Sequence, residues 1–308
     1  MSAWVSRLTG SELVFSVLEE LSKIAEEGSK DLFSKRLTEV ADYIISERPS
    51  SMAIVNMMRS IFLYLLDKGF NGVSNYINSL KDKYNDTLWK ASEIASKRVV
   101  AGDKILTNSN SLAVRRFLKI LHDQGKEIDL YITESRPGNE GILVAEYAGE
   151  LGLKAHLIVD SAARFFMKNI DKVFVGAEAI ATNGAVVSKV GTSLIALVAK
   201  EARKRFFVIA PSYKFSYETV YGELFKVPEG GLELIIDEER DKNLAPSFKA
   251  RVPIYDVTPP EYIDAVATEY GMIAPQALPL LIRNLYGTYP PTVTPLTDIL
   301  LIYKSSCR

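Results

Sequence analysis

The fold is decided by residues 104–133, which read KILTNSNSLAVRRFLKILHDQGKEIDLYIT. Short apolar runs that contain β-branched residues lie at 104–107 and 128–133. Between them, apolar side chains recur at the three- and four-residue steps that are typical of a helix. The segment therefore predicts a strand, a helix over 111–124 and a second strand. Strands that are joined through a helix run parallel in one sheet.

The same alternation continues toward residue 210. Further strands are predicted at 155–159, 172–175 and 206–210, and helices are predicted near 140–152, 161–169 and 192–204. Such alternation is typical of a doubly wound, mainly parallel sheet with helices on both faces. In these sheets, ligands bind where the strands end.

The first third of the chain differs from the rest, because residues 11–98 show helical periodicity almost throughout. We predict a helical domain at 1–98 and an α/β domain at 99–308. Within the second domain, residues 232–236 are predicted as an edge strand. The tail from Tyr289 is predicted to be extended, with its apolar run at 299–303 available to a neighbouring subunit.

Composition excludes several classes of protein. The chain has 308 residues, and its 47% hydrophobic and 24% charged residues exclude a disordered chain. Its balance of 37 basic and 38 acidic residues argues against a general nucleic-acid or membrane-surface binder. The single cysteine, Cys307, cannot form an internal disulfide or a cysteine metal site, and it fits a reducing cytoplasm. Neither a dinucleotide-binding nor a P-loop glycine motif is present. We expect no metal, no cofactor and no membrane span.

Polar residues follow every predicted strand and should meet at one edge of the sheet. They include cations, carboxylates and a helix start with free amides, a combination that suits a phosphorylated polyol. The candidate ligand-binding residues are Arg136, Asp160, Asn183, Ser188, Lys189, Gly191, Thr192 and Lys214.

Simpler interpretations of these residues stay open. Gly191 and Thr192 fit a turn with a helix cap, and Asn183 with Gly184 fits a tight turn. Arg136 could pair with a neighbouring carboxylate. The basic cluster 203–205 fits the C-terminal end of a helix, where positive charge is favourable, as well as a nucleic-acid contact.

Several segments resemble one superfamily in order and spacing. It contains the alpha, beta and delta regulatory subunits of translation initiation factor 2B and the isomerases of methylthioribose-1-phosphate and ribose-1,5-bisphosphate. The resemblance implies an N-terminal helical domain followed by a Rossmann-like domain, and it adds Arg48 to the candidate site. The matching segments are 48–49, 105–111, 133–137, 159–163, 175–180, 183–184, 189–192, 213–215 and 256–262.

Two positions separate the branches of this superfamily. In the isomerases, a cysteine and an aspartate act on the sugar phosphate, and by position they correspond to Ser109 and Glu178. A serine hydroxyl titrates far above a thiol, whose pKa is about 8.5, and no histidine in the motif activates Ser109. Glu178 is one methylene longer than aspartate, and a misplacement of about 1 Å can cost about 10²-fold in rate. Alpha-type subunits carry the same Gly-Ala-Glu segment.

The resemblance therefore predicts a regulatory protein of the alpha type, without catalysis, that retains a pocket for a phosphorylated sugar or nucleotide. It implies a homodimer or higher homo-oligomer and initiation factor 2 as partners, with no direct nucleic-acid contact. The alternative is a ribose-1,5-bisphosphate isomerase that works with Ser109 and Glu178 in a modified arrangement.

Overall fold

A computed structural model describes residues 9–221, 227–236, 247–289 and 291–306. The N-terminal part is helical. Helix α1 shows why, because its apolar side chains recur along one face and are buried, while Thr9 and Glu12 form a capping box at its start. The helices are α1 (Gly10–Glu26), α2 (Lys30–Glu47), α3 (Met52–Lys68) and α4 (Val73–Ser96).

The remainder alternates strands and helices and then adds short strands. Its first elements are β1 (Lys104–Thr107), α5 (Leu112–Asp123), β2 (Asp129–Thr133), α6 (Glu140–Glu150), β3 (Lys154–Ile158), α7 (Ala163–Met167) and β4 (Lys172–Gly176). Its later elements are β5 (Ala179–Ala181), β6 (Val186–Lys189), α8 (Thr192–Glu201), β7 (Arg205–Ile209), β8 (Phe215–Ser216), β9 (Tyr255–Thr258), β10 (Ala265–Thr268), β11 (Gly271–Ile273), α9 (Leu278–Tyr286) and α10 (Leu296–Ser306).

In the described part of the chain, the larger sheet has seven strands in the order β11-β10-β7-β4-β1-β2-β3. All of them run parallel except β11, which is antiparallel to β10. After β1, the chain adds β2 and then β3 on one side of β1. It then returns, and β4 pairs with β1 on the other side. The gap between the ends of β1 and β4 is therefore the topological switch point, where ligands bind in sheets of this kind.

A smaller sheet lies beside this edge. Among the described residues it has the order β8-β5-β6-β9, with β5 and β6 joined as an antiparallel hairpin. Gly184 turns the hairpin with a φ of +89°, and a Cβ atom there would overlap Pro275. Strand β6 ends at Lys189 and so carries that side chain to the site described below.

Both faces of the larger sheet are covered. Strand β1 alternates, so that Ile105 belongs to a hydrophobic core shared with α1–α6 and α10, whereas Leu106 faces a cluster that contains α7, α8 and α9. The structure confirms the predicted fold class, an N-terminal helical bundle followed by a Rossmann-like, doubly wound and mainly parallel sheet. The boundary at residues 98 and 99 falls within the shared core, and the division into two domains stays a prediction.

The structure corrects the predictions for two segments. Residues 232–236 do not form an edge strand, because Leu232–Leu234 is a single 3₁₀ turn. From Leu296 onward, the tail is not extended either. After Pro295 it forms α10, whose Ile299, Leu300 and Tyr303 are buried, with the ring of Tyr303 5.0 Å from that of Phe62. Part of the apolar run 299–303 thus packs within its own chain, whereas Leu301 and Ile302 are exposed, and contact of this run with a neighbouring subunit stays a prediction.

Within the described ranges, none of the helices has both the length and the apolar character needed to cross a bilayer.

Candidate active site at the strand ends

Hydrogen bonds connect the ends of the three neighbouring strands β1, β2 and β3. After β3, the Asp160 carboxylate accepts the amide protons of Ser135 at 2.8 Å and Arg136 at 2.7 Å. After β2, the Ser135 hydroxyl accepts the amide proton of Ser109 at 2.7 Å. Ser109 and Ser135 have φ values of 62° and 63°. This left-handed conformation is unfavourable for serine, and such backbone strain is concentrated at functional sites.

The hydroxyl of Ser109 points into a charged group of side chains. It donates to Glu140 Oε2 at 3.0 Å, and Glu140 Oε1 accepts from Lys189 Nζ at 2.8 Å. Lys189 also donates to the carbonyl of Pro137 at 2.6 Å, and only 6% of the residue is exposed. Glu140 therefore connects the end of β1 with the end of β6.

Glu178 lies across the switch point, two residues after β4. Only 8% of the residue is exposed, and its carboxylate accepts a hydrogen bond from the Ser51 hydroxyl. Gly10 packs directly against it, since a Cβ atom there would lie 2.5 Å from Glu178 Oε2. Ser51 caps α3 and Gly10 is the first residue of α1. The first turns of α1 and α3, where backbone amides have no partner within the helix, therefore lie against this carboxylate.

Lys214 provides the adjacent positive charge. It is 3% exposed, and its Nζ donates to the carbonyl of Ala177, the residue before Glu178. Burial lowers the pKa of the Lys214 ammonium, and the charge of Glu178 opposes that change. An ammonium group with a lowered pKa can donate a proton closer to neutral pH than an exposed lysine can.

Tyr255 shows that these groups converge. Burial raises the pKa of its phenol, the carboxylates of Glu178 and Glu140 raise the pKa further, and Arg48 opposes them. The charges of Glu178 and Glu140 thus act on the same phenol. Arg48, at the end of α2, belongs to the same region, so the helical part of the chain covers the edge of the sheet.

Several buried oxygens near these groups are unpaired. Among the described residues, Ser50 Oγ, Asn110 Oδ1 and Asp256 Oδ1 have no hydrogen-bond partner. Buried polar atoms are usually paired, so these atoms are suited to a polar ligand.

The other predicted residues have mainly structural contacts. Arg136 Nη2 donates to the Ile235 carbonyl at 2.6 Å, and the Ser188 hydroxyl donates to the Gly176 carbonyl at 3.0 Å. Asn183 accepts from the Ala185 amide at 3.0 Å, within the turn of the β5–β6 hairpin. The Thr192 hydroxyl donates to the Lys189 carbonyl at 2.6 Å. Their roles toward a ligand stay predictions.

The sequence predicts an anion-binding position at the start of α8. In the structure, the side chain of Asp256 occupies this position. One oxygen of Asp256 accepts from the amides of Gly191 at 2.8 Å and Ser193 at 3.1 Å, and from the Ser193 hydroxyl at 2.9 Å. The dipole and the free amides of a helix start attract a carboxylate as they would a phosphate.

Asp256→Asn should change how stability depends on pH. Burial raises the pKa of the Asp256 carboxyl. The hydrogen bonds from Ser193 and Gly191 lower this pKa, but their effect is smaller than that of burial. The folded chain therefore holds this proton more tightly than the unfolded chain. The stabilising contribution is complete below about pH 4 and is lost as pH rises through the folded pKa. The unfolding free energy of the wild type, minus that of the variant, should be larger near pH 4 than near pH 7. Urea denaturation at both pH values measures it, and a constant difference would contradict the prediction.

Sequence reasoning missed Glu140, Ser51 and Gly10 as members of the site. Glu140 offered one signal, because a carboxylate in the first turn of a helix that follows a strand end faces the ligand edge of the sheet. Ser51 and Gly10 offered none, since their contacts with Glu178 join segments more than a hundred residues apart.

Surface grooves are found at the opposite edge, where the parallel strands begin. One of about 360 Å³ is lined by residues that include Arg205 and Asp264, and one of about 650 Å³ by residues that include Lys104 and Asp129. Asp264 pairs with Arg205, and Asp129 pairs with Lys154 and His156. Since ligands bind at the other edge of such sheets, the strand ends remain the candidate active site.

Comparison with known proteins identifies relatives of this chain. The sequence matches the Initiation factor 2 subunit family over residues 6–275. The ribose 1,5-bisphosphate isomerase of Methanocaldococcus jannaschii is 38% identical over 266 residues, which are 84% of this chain and 83% of that protein. It is one of six archaeal proteins of that name that are 26–38% identical to this chain.

Solved structures share the fold. The translation initiation factor eIF-2B of Pyrococcus horikoshii OT3 matches with a TM-score of 0.76 at 24% identity, over 88% of this chain and 94% of that chain. The tetrameric eIF2B-beta2-delta2 complex of C. thermophilum matches with a TM-score of 0.66 at 18% identity, over 91% of this chain and 90% of that chain.

These comparisons correct the functional prediction. The expectation of a non-catalytic regulatory protein of the alpha type is wrong, because the six archaeal isomerases match over 83–91% of this chain and favour the alternative. The predicted superfamily is confirmed, and initiation factor 2 as a partner stays a prediction. With a match over residues 6–275 of 308, the chain belongs to the Initiation factor 2 subunit family.

Proposed function

We propose that this protein is an aldose–ketose isomerase that converts ribose 1,5-bisphosphate into ribulose 1,5-bisphosphate. The observation that carries the proposal is the buried Glu178 carboxylate beside Lys214, across the switch point from the Ser109 hydroxyl. The six archaeal relatives of that name support the choice of substrate.

The reaction needs an acid and a base on different sides of the sugar. The furanose ring opens at the bond between C1 and O4, and O4 gains a proton. The hydrogen on C2 moves with its bonding electron pair to C1, which lost a pair when the ring opened, and the C2 hydroxyl loses its proton as the carbonyl forms. Atoms and charge balance without an added reactant, so positioned side chains suffice for catalysis.

Both requirements have candidates in the site. We assign the acid side to Glu178 with Lys214, since a buried ammonium with a lowered pKa can supply the proton for O4. We assign the base side to Ser109, at the end of the neighbouring strand. The charges of Glu178 and Glu140 both act on the phenol of Tyr255, which supports placing the two sides in one region.

The phosphates need cations and amide or hydroxyl donors. Arg48, Arg136, Lys189 and Thr192 are the proposed donors, with Asp160, Asn183 and Ser188 supporting the loops that carry them. Lys189 is bound to Glu140 and Pro137 in the described structure, so a phosphate would share or exchange these partners. The Gly191 amide would be available only if Asp256 moved away from it.

The protein should convert ribose 1,5-bisphosphate with a turnover of about 1 s⁻¹ or more, the lower end of ordinary enzymes. Formation of ribulose 1,5-bisphosphate is followed by chromatography of quenched samples. A Ser109→Ala/Glu178→Gln double variant, purified in the same way, is the control for contaminating enzymes. 5-Methylthioribose 1-phosphate serves as a second substrate.

Equal product from the protein and its double variant would contradict the proposal, and so would conversion of methylthioribose 1-phosphate alone. A loss confined to the double variant supports it, provided that both proteins have the same circular dichroism.

We also propose that the protein acts as a homodimer or higher homo-oligomer in the cytoplasm. One similar structure is a tetrameric complex. The single cysteine suits a reducing compartment.

A further inference from the structure

The Ser109 hydroxyl already donates its proton in a hydrogen bond within the protein. Its backbone is held in the left-handed region by the bond from its amide to Ser135, which fixes the direction of the side chain. The hydroxyl then donates to Glu140 at 3.0 Å. Since a serine hydroxyl has one proton and two lone pairs, the lone pairs remain free to accept a proton from a ligand.

We propose that Glu140 is the positioning residue of Ser109: it fixes the hydroxyl proton and receives that proton when Ser109 takes one from the substrate. The catalytic part of this inference rests on the isomerase proposal. Glu140 is then the group that activates the Ser109 hydroxyl, a role for which the motif around Ser109 offers no histidine.

The step is a transfer of two protons. The O–H bond of the C2 hydroxyl breaks, and its proton forms a new bond with Ser109 Oγ. The original O–H bond of Ser109 breaks at the same time, and that proton passes to Glu140 Oε2. The electron pair left on the substrate oxygen forms the carbonyl, while the C2–H bond breaks and the hydrogen moves to C1 with its bonding electron pair. Ser109 ends as a hydroxyl and Glu140 as a carboxylic acid.

Glu140 has the surroundings that this role requires. Its side chain is 35% exposed, so it can return the proton to water, unlike the closed-in Glu178. It is the first residue of α6, at the edge of the sheet where the strands end. The charged and titratable groups that face it are Lys189 of β6 and Tyr255 of β9. Lys189 donates to Oε1, which leaves Oε2 for Ser109.

A thiol titration tests the contact without relying on activity. Ser109→Cys in a Cys307→Ser background places a single thiol beside Glu140. The pH dependence of its alkylation by iodoacetamide gives the thiol pKa. Because a neighbouring carboxylate disfavours the thiolate, adding Glu140→Gln should lower this pKa by about half a unit, or about threefold in thiolate fraction. Glu150→Gln, at the exposed end of the same helix, is the matched control and should leave the thiol pKa unchanged.

Kinetics test the catalytic part. In the wild type, kcat/KM should rise with pH to a plateau, because only the carboxylate form of Glu140 can receive the Ser109 proton. Glu140→Gln should remove this rise and reduce kcat by about 10²-fold, whereas Glu140→Asp should keep the rise at a lower rate. Glu150→Gln should behave as the wild type does.

The outcomes separate this inference from the isomerase proposal. An active wild type with an unchanged pH profile in Glu140→Gln overturns the inference and leaves the proposed function intact. An inactive wild type overturns the proposed function. The thiol titration then decides the Ser109–Glu140 contact by itself, because an unshifted pKa overturns the inference and a shifted one supports it.

Discussion

Glu178→Gln should reduce kcat for ribose 1,5-bisphosphate by about 10²–10⁴-fold, the usual contribution of a positioned acid or base. The amide has nearly the same shape but carries no charge and cannot exchange a proton. It also removes the negative charge near Lys214, whose pKa then falls further because burial is no longer opposed. The proton needed at O4 loses its source, so we expect the effect in kcat rather than in KM.

Steady-state kinetics and a thermal melt distinguish chemistry from folding for this variant. Glu201→Gln is the matched control, since Glu201 is paired with Arg164 on the exposed surface and should be replaceable without loss of rate. Glu178→Asp tests reach, because the shorter side chain withdraws the carboxylate from Ser51. Retention of half the wild-type kcat by Glu178→Gln, with an unchanged melt, would remove Glu178 from the acid role.

Gly141→Ala should destabilise the protein by about 3 kcal/mol or more, at the upper end of overpacking substitutions. Gly141 lies in the first turn of α6, and a Cβ atom there would overlap the backbone carbonyl oxygen of Thr133 at the end of β2. Because this neighbour is backbone, it cannot rotate away. The close approach also places the adjacent Glu140 within reach of Ser109, so the shift should disturb the site as well.

Gly149→Ala in the same helix is the matched control and should have the opposite sign. Nothing lies within 4 Å of a Cβ atom at Gly149. Alanine is a better helix former than glycine, so the free energy of unfolding should rise by about 0.5–1 kcal/mol. Urea denaturation of both variants measures the pair. Equal stabilities for the two variants would mean that α6 does not pack on the end of β2 as described.

The functional prediction shows the limit of judging residues one at a time. Ser109 was assessed by the acidity of an isolated hydroxyl and Glu178 by the length of its side chain. The relatives overturn the resulting prediction. In the fold, Ser109 is bonded to Glu140, and Glu178 is held by Ser51 and the start of α1. Acidity and reach depend on such neighbours.

By itself, the sequence determined the elements of the sheet and the edge at which the site lies. Strand β1 was predicted with its observed bounds, and β2, β3, β4 and β7 within one residue at each end. Apolar periodicity is local, and parallel strands carry their polar ends to one edge, so Ser109, Asp160 and Lys214 could be expected there.

Only the tertiary structure decided which side chains pair at that edge. Asp256 occupies the start of α8, Glu140 links Ser109 with Lys189, and the apolar tail returns to α3 as a helix. Each of these contacts joins segments that are far apart in the chain. Their partners are selected by the packing of the whole core, which no local pattern of residues encodes.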